Sequence, residues 1–148
     1  RAKSGSKRHI WVDQRGAPLS IQVTAANVHD VTEIMNLLHR PIVRRPKTTY
    51  TVQHLCADKA YDSEEVRTNL RKRKITPHIR KREYGSNPTP PPLESEKHPA
   101  RRWVVERTLS WQNDFRSLRI RWAKKSSNWL ALIYFACTLI LWSMCSYD

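Results

Sequence analysis

The chain has 148 residues, which is enough for one domain with a modest hydrophobic core. Its 27 lysines and arginines outnumber its 13 acidic residues, giving a formal net charge of +14. The basic residues are spread over several segments, which excludes a detachable basic tail and indicates a polyanionic partner, either nucleic acid or an anionic membrane surface. The polar start, Arg1 to Arg8, lacks the apolar run of a secretory signal.

The three cysteines, Cys56, Cys137 and Cys145, stand mostly in apolar surroundings and form no Cys-x-x-Cys pair. This pattern is typical of buried, reduced thiols in an intracellular protein. We therefore expect all three thiols to lie inside the domain in reduced form.

Two segments near the start of the chain, 9–13 and 19–24, are rich in isoleucine, valine and tryptophan. The residues between them include Gly16 and Pro18, which are typical of a turn. Asp13 enters that turn, where its carboxylate is expected to accept hydrogen bonds from the local backbone. The pattern predicts a β-hairpin with apolar positions at Ile10, Val12, Ile21 and Val23.

A helix is expected next, from about Val31 to Leu38, with Asp30 as its N-cap. The segment from Tyr50 to Ala57 is the best candidate for a buried strand. Asp62 or Ser63 should then cap a second helix that runs to about Lys74, and the short strand from Ile75 to Arg80 follows it. Strand, helix and strand in this order predict one βαβ unit.

Asp58 follows the first of these strands directly. In an open α/β sheet, functional groups collect beyond the carboxyl ends of the strands. Asp58 is therefore a candidate metal ligand, although an ordinary turn or cap role explains its position equally well.

The segment 84–99 is rich in proline and polar residues, which predicts an extended, mobile connection within the domain. A central helix is expected after it, from about Ala100 to Leu118. At about 100° per residue, the face opposite its apolar stripe carries Arg102, Glu106 and Asn113. A carboxylate framed by arginines on a helix can bind a metal ion or form exposed ion pairs.

The last predicted helix, Trp129 to Cys145, is almost wholly apolar, with Ser126 or Ser127 as its cap. The stretch 126–147 contains no charged residue, so its length approaches that of a membrane span. We favour a core helix, because the hairpin and the βαβ unit both need a cover.

Four stretches of the sequence, taken together and in this order, resemble bacterial insertion-sequence transposases of the DDE type. The resemblance covers nearly the whole chain, whereas each motif alone is short and unspecific. It implies a ribonuclease-H-like α/β fold with a mixed sheet and flanking helices. The four stretches are Gly-Ser-Lys-Arg-His-Ile-Trp-Val-Asp-Gln-Arg-Gly (5–16), Val-Thr-Ala-Ala-Asn-Val-His-Asp (23–30), Ala-Asp-Lys-Ala-Tyr-Asp-Ser (57–63) and Arg-Arg-Trp-Val-Val-Glu-Arg-Thr-Leu-Ser-Trp (101–111).

The resemblance also implies roles for individual residues. Asp58 matches the second catalytic aspartate of the family and Glu106 the catalytic glutamate, and both would bind Mg²⁺ or Mn²⁺. Arg102 matches the family's arginine, while Asn113 stands where a basic residue is common. The family's first catalytic aspartate lies on a strand before the hairpin, and this sequence starts after that point. Asp13 is an alternative third carboxylate.

The implied reaction is metal-dependent cleavage of DNA at insertion-sequence ends, followed by strand transfer. Carboxylates suit it, because two Mg²⁺ ions about 4 Å apart can activate the nucleophile and stabilise the leaving oxygen. Without the first strand and its aspartate, the fold is incomplete at its N-terminus and we expect weak or no activity. Contacts to DNA phosphates are expected from basic and polar residues, namely Arg102, Lys7, Arg8, Lys59, Arg107, Asn113, Arg116, Arg119 and Arg121, with Arg44 and Arg45 as further candidates.

The expected partners are transposon ends and target DNA, with a possible homodimer in a synaptic complex, in the cytoplasm at the nucleoid. Two alternatives from other classes stay open. A non-catalytic DNA-binding remnant of a transposase would bind duplex DNA without a divalent metal. A basic, membrane-anchored protein would instead insert its apolar C-terminal helix into lipid.

Overall fold

A computed structural model describes residues 5–42, 52–80 and 101–146 of the chain. Within these ranges the protein is mixed α/β, which confirms the predicted class. The proline-rich connection predicted at 84–99 lies outside the described residues, as do Arg44 and Arg45.

The predicted hairpin is confirmed. Strands β1 (Ser6–Val12) and β2 (Pro18–Ala25) pair antiparallel, with Ile10 opposite Ile21. The carboxylate of Asp13 accepts hydrogen bonds from the backbone N–H groups of Arg15 and Ala17, each at 2.8 Å. Asp13 therefore has the turn role that the sequence predicts.

Helix α1 spans Asp30–His39 and packs on both hairpin strands. The N-cap is His29, so the prediction of Asp30 at that position is wrong. Asp30 instead forms an ion pair with Lys7 of β1, with Oδ1 and Nζ 2.9 Å apart. This contact between strand and helix takes the carboxylate away from a capping role.

The predicted βαβ unit is also confirmed. Strand β3 (Gln53–Ala57), a 3₁₀ turn (Lys59–Tyr61), helix α2 (Glu64–Lys72) and strand β4 (Ile75–Ile79) follow in order, and β3 and β4 are parallel. Strand β3 is not fully buried as predicted, because its residues alternate between partly buried and exposed.

Ser63 occupies the N-cap position of α2, which is one of the two positions predicted from the sequence, although its side chain makes no capping hydrogen bond. The carboxylate of Asp62 accepts two hydrogen bonds from Arg67, at 2.9 and 2.8 Å. Arg67, which is buried, also donates to the carbonyl oxygen of Ile79 at 2.6 Å, so this pair ties α2 to β4.

The central helix is shorter than predicted. Helix α3 spans Arg102–Asp114, and a separate short helix α4 spans Arg116–Arg119. Phe115 interrupts the helix with an extended backbone (φ −76°, ψ 109°). The break lets Phe115 and the buried Leu118 pack on one apolar cluster, and this tertiary packing overrides the helical pattern.

Helix α5 spans Ser126–Ser146, so both serines expected as caps lie inside it. One face, which includes Trp129 and Ile133, is buried against β2, α3 and α4. The prediction of a core helix therefore holds for one face of α5. Phe135 and Trp142 lie on the rest of the helix and are exposed. By length and composition, α5 is the single candidate for a membrane span within the described residues.

The prediction that all three cysteines are buried is wrong for two of them. Cys137 is buried on α5, whereas Cys56 on β3 and Cys145 near the end of α5 are exposed. The alternation of β3 turns Cys56 outward, and Cys145 lies beyond the last buried residue of α5.

Two apolar clusters organise the domain. The hairpin core comprises Ile21, Leu118, Trp129, Ile133, Ala136 and Cys137. The βαβ core comprises Ile34, Leu38, Val66, Leu70, Ile75 and Ile79. Among the described residues the strands form two separate pairs, β1 with β2 and β3 with β4, rather than one mixed sheet.

Candidate active site

A cleft of about 770 Å³ lies between the hairpin and the βαβ unit. Residues of β1 and β3 line it, together with apolar side chains of α1 and α3 such as Leu37 and Val104. Its charged lining residues include both carboxylates singled out from the sequence, and they are Arg8, Asp13, Asp58, Arg101, Arg102 and Glu106. Asp58 and Glu106 are 48 positions apart in the sequence, and the fold brings them to one cleft.

Asp58 lies one residue beyond the carboxyl end of β3, where the sequence places it. It is the N-cap of the 3₁₀ turn, and its Oδ1 accepts a hydrogen bond from the Lys59 backbone N–H at 2.6 Å. The side chain is 47% exposed. Asp58 therefore has the ordinary cap role through one oxygen, and its second oxygen, Oδ2, faces Arg102.

Glu106 lies on α3, one turn after Arg102, and its side chain is 65% exposed. The opposite face of the helix carries the fully buried Thr108 and Gln112. This amphipathic arrangement holds the helix against the hairpin core while its carboxylate faces the solvent-filled cleft.

Arg102 lies between the two carboxylates. Its Nη2 is 3.7 Å from Oδ2 of Asp58 and 3.8 Å from Oε1 of Glu106. These distances correspond to ion pairs and are longer than hydrogen bonds. One guanidinium nitrogen therefore joins a carboxylate of the βαβ unit to a carboxylate of α3.

The hairpin turn docks on α3 close to Glu106. The Thr108 hydroxyl donates to the Gly16 carbonyl at 2.7 Å, and Arg107 Nη2 donates to the Arg15 carbonyl at 2.5 Å. Gly16 has a positive φ of 91°, and a Cβ there would lie 2.9 Å from the Thr108 hydroxyl oxygen. Only glycine fits this turn without strain, so Gly16 helps to fix the position of α3.

Arg107, which the resemblance suggests as a DNA contact, is held by internal contacts. Its guanidinium carbon lies 4.8 Å from the Trp103 ring centroid and 4.9 Å from that of Trp111. With its bond to Arg15, these contacts make Arg107 a link between α3 and the hairpin turn.

Arg8 and Asn113 form a second link, which sequence reasoning missed. Arg8 donates to the side-chain oxygens of Asn113 at 2.7 Å and of Gln112 at 3.3 Å, and burial lowers the pKa of its guanidinium. A basic residue at position 113 would place two cations together, whereas Asn113 supplies an acceptor. The acceptor oxygen of Asn113 therefore suits its cationic neighbour Arg8.

The remaining suggested DNA contacts differ in their surroundings. Lys7 is paired with Asp30 and donates to the Val28 carbonyl at 2.9 Å. Arg119 donates to the backbone carbonyl of Asn113 at 3.2 Å. The exposed basic residues among the suggested contacts are Lys59, Arg102, Arg116, Arg119 and Arg121.

A hydrogen-bonded network joins β1 to the turn that follows Asp58. The buried His9 lies 2.8 Å from the Thr24 hydroxyl through Nε2 and 3.1 Å from the Tyr61 hydroxyl through Nδ1. Burial lowers the pKa of His9 and raises the pKa of Tyr61 to about 12. Both groups are therefore neutral near pH 7. A lone histidine on an apolar strand carries no sequence signal for this role.

The donor set is suited to a divalent cation of the hard type. Asp58 Oδ2 and Glu106 Oε1 are carboxylate oxygens, and the Arg102 guanidinium already lies between them as a stand-in cation. Mg²⁺ commonly takes one or two carboxylates and completes its shell with water and phosphate. Among the described residues, no group of three His, Cys, Asp or Glu side chains could hold a metal ion.

Comparison with known proteins agrees with the resemblance. Residues 1–141 match the family model described as the transposase DDE domain. A Burkholderia cepacia protein named as a transposase for insertion sequence element IS402 is 40% identical over 154 aligned positions, covering 97% of this chain and 65% of the relative. The chain therefore belongs to the DDE transposase family. No solved structure matches it.

Proposed function

We propose that this chain is the catalytic domain of an insertion-sequence transposase in which Asp58 and Glu106 together bind Mg²⁺ or Mn²⁺. The observation that carries the proposal is the position of Arg102, whose Nη2 lies within 4 Å of both carboxylates in one cleft. Two carboxylates from distant parts of the chain, close enough to share one cation, provide hard ligands for a divalent metal. The reaction is cleavage of DNA at the ends of the element and transfer of the cut strand.

Each residue of the site has a part in this reaction. When bound, the metal would activate the attacking oxygen, first of water and then of a DNA 3′-hydroxyl, and would stabilise the leaving oxygen. Asp58 Oδ2 and Glu106 Oε1 would hold the metal. Exposed basic side chains such as Lys59 and Arg116 bind phosphates and position the DNA without reading its sequence.

The cleft between β1 and β3 supports the finer fold proposal, a ribonuclease-H-like sheet. Among the described residues β1 pairs only with β2 and β3 only with β4, and residues of both β1 and β3 line the cleft. In the family the first strand precedes the hairpin and carries the first catalytic aspartate. A strand in the cleft would join the two pairs into one sheet, with its aspartate near Asp58 and Glu106.

This arrangement makes the chain weak or inactive by itself, since it supplies two of the three family carboxylates. The chain spans 65% of the length of the B. cepacia relative. Asp13 lines the same cleft, but its Oδ1 is engaged by two backbone N–H groups of the turn. A homodimer in a synaptic complex and action at the nucleoid in the cytoplasm belong to the same proposal.

A DNA cleavage assay tests the proposal. The substrate is a plasmid carrying the terminal repeats of the element, incubated with Mg²⁺ or Mn²⁺. We expect cleavage by the full-length transposase, loss of cleavage in Asp58→Asn and Glu106→Gln, and little cleavage by this chain alone. Cleavage that survives both substitutions would contradict the assignment.

A second candidate function is a non-catalytic DNA-binding domain, favoured by the lack of a three-ligand group among residues 5–42, 52–80 and 101–146. It predicts DNA binding that falls steeply with salt, as the catalytic proposal also does. The two differ in their metal dependence. Duplex affinity that is the same with and without divalent metal, in wild type and in Asp58→Asn, would favour the non-catalytic function.

A further inference from the structure

We propose that Arg102 is the built-in counter-cation of the Asp58–Glu106 pair, and that a divalent metal displaces its guanidinium, which then binds a DNA phosphate. This inference rests on the proposed function, because it assigns the order in which one site takes metal and DNA. Arg102 would thereby couple metal binding to DNA binding.

Asp58 and Glu106 each face Arg102 through one carboxylate oxygen. Asp58 uses Oδ1 to accept the Lys59 backbone N–H at 2.6 Å, so this oxygen is committed to the turn. Its other oxygen, Oδ2, is the one that faces Arg102 at 3.7 Å. On Asp58, the oxygen open to a metal is therefore the one that Arg102 now neutralises, and on Glu106 the guanidinium faces Oε1.

Arg102 and a divalent metal would compete for the same two carboxylates. Two ionised carboxylates near one point repel each other, and a cation between them offsets that repulsion. A divalent ion binds carboxylate oxygens at about 2.1 Å, far closer than the 3.7 and 3.8 Å of the guanidinium contacts. The metal and the guanidinium carry like charges and compete for the same two oxygens, so the ion with the closer contacts displaces Arg102.

Arg102 can leave the two carboxylates without disturbing the fold. Its side chain is 56% exposed, and it is the first residue of α3. A rotation of its side chain leaves the buried face of the helix in place. The released guanidinium has a planar fork of donors that suits a phosphate. Metal binding therefore raises DNA affinity, and by linkage DNA raises metal affinity.

Calorimetric titration with Mn²⁺, without DNA, tests the first half of this inference on the intact chain. We expect Arg102→Gln to bind Mn²⁺ about three- to tenfold more tightly than wild type, because two exposed ion pairs no longer compete. Arg40→Gln is the matched control. It removes the same unit charge from an exposed site outside the cleft and should bind Mn²⁺ like wild type.

The outcomes separate this inference from the proposed function. Equal or weaker Mn²⁺ binding in Arg102→Gln, with binding lost in Asp58→Asn and Glu106→Gln, would overturn the counter-cation role and leave the metal site standing. Mn²⁺ binding that persists in both carboxylate variants would overturn the site itself. Tighter binding in Arg102→Gln alone, with Arg40→Gln unchanged, supports the inference.

The binding of the displaced Arg102 guanidinium to DNA is tested by measuring the affinity of the chain for a DNA duplex with and without Ca²⁺. Ca²⁺ serves as the probe because it binds to oxygen ligands such as carboxylates. Wild type should gain DNA affinity severalfold on adding Ca²⁺, and Arg40→Gln should show the same gain. Arg102→Gln should gain clearly less, because it has no guanidinium to release. An equal gain in Arg102→Gln and wild type would overturn the displacement.

Discussion

The two halves of the domain are built in different ways. The βαβ unit is local in sequence, since β3, α2 and β4 all lie within residues 53–79. The hairpin half depends on contacts between distant segments, such as the hydrogen bond of Thr108 to Gly16 and that of Arg8 to Asn113. Asp58 therefore belongs to a locally determined structure, whereas the position of Glu106 depends on long-range packing.

This difference bears on the site, because the carboxylates meet across the boundary between the halves. Arg102 and the His9–Tyr61 hydrogen bond are two contacts that cross it. A substitution in either core should alter the free energy of unfolding. A substitution at the boundary between the halves should instead alter how Asp58 and Glu106 are placed relative to each other. The following predictions separate these effects, from the largest to the smallest.

Truncation of a buried side chain in either core should have the largest effect. Leu70 in the βαβ core and Ile133 in the hairpin core are both fully buried. Leu70→Ala and Ile133→Ala should each lower the free energy of unfolding by about 2–5 kcal/mol, through lost burial and a cavity. Urea unfolding measures this, and Leu132→Ala, at a half-exposed site on α5, is the control. A loss below about 1 kcal/mol in either core variant would contradict the assignment of that core.

Gly16→Ala tests the docking of the hairpin turn on α3. The positive φ of 91° and the 2.9 Å approach to Thr108 should cost about 2–3 kcal/mol of unfolding free energy. Gly5→Ala is the matched control, because its Cβ would meet Ala26 at an ordinary 3.4 Å and should change stability by less than about 1 kcal/mol. Thermal unfolding of the two variants side by side measures the difference. If Gly16→Ala and Gly5→Ala unfold at the same temperature, the tight packing of the hairpin turn on α3 is contradicted.

Arg67→Met tests the buried ion pair of the βαβ unit. It removes donors from Asp62 and from the Ile79 carbonyl, and should lower the unfolding free energy by about 2 kcal/mol. Arg71→Met on the same helix removes the exposed pair with Glu64, whose atoms lie 3.5 Å apart, and should cost at most about 0.5 kcal/mol. Chemical denaturation compares the two. If Arg67→Met and Arg71→Met lose the same small amount of unfolding free energy, the assignment of a buried ion pair to Arg67 is wrong.

The smallest expected effect is the pH dependence due to His9. Burial lowers the pKa of His9 from its ordinary value near 6.5, although Asp30 and Glu33 partly oppose this. Below that pH the unfolded chain takes up a proton that the folded His9 does not, so the unfolding free energy falls as pH decreases from 7.5 to about 5.5.

Replacing the imidazole isolates this contribution. His9→Gln should lose less unfolding free energy than wild type over this range, because its side chain takes up no proton on unfolding. Thermal unfolding at a series of pH values measures both proteins, and identical slopes in wild type and His9→Gln would contradict the role of His9.

The sequence predicts the local half of the fold best. The hairpin turn with Gly16, the βαβ order and the place of Asp58 after β3 all follow from patterns within about 30 residues. The break at Phe115 could not be predicted, because it results from packing on a cluster whose other members are distant in sequence. The cap at His29 differs for a similar reason, since Asp30 pairs with Lys7 across the fold.

For the candidate site, the family resemblance identified Asp58, Glu106 and Arg102, but not how they meet. Helical spacing places Arg102 beside Glu106, whereas the approach of Asp58 requires the fold. The roles of Arg8 and Arg107 were also beyond sequence reasoning. Their basic side chains suggest contacts with DNA. In the structure, each instead donates a hydrogen bond to a residue on another element.

The proposed function requires that Asp58 and Glu106 hold one metal ion. This is tested by the Mn²⁺ affinity of wild type, Asp58→Asn, Glu106→Gln and the double variant. We predict that each single substitution weakens binding by more than about tenfold and that the double variant is little weaker than either, because two ligands of one ion are not independent. Unchanged affinity in either single variant, or losses that simply add in the double variant, would contradict a shared site.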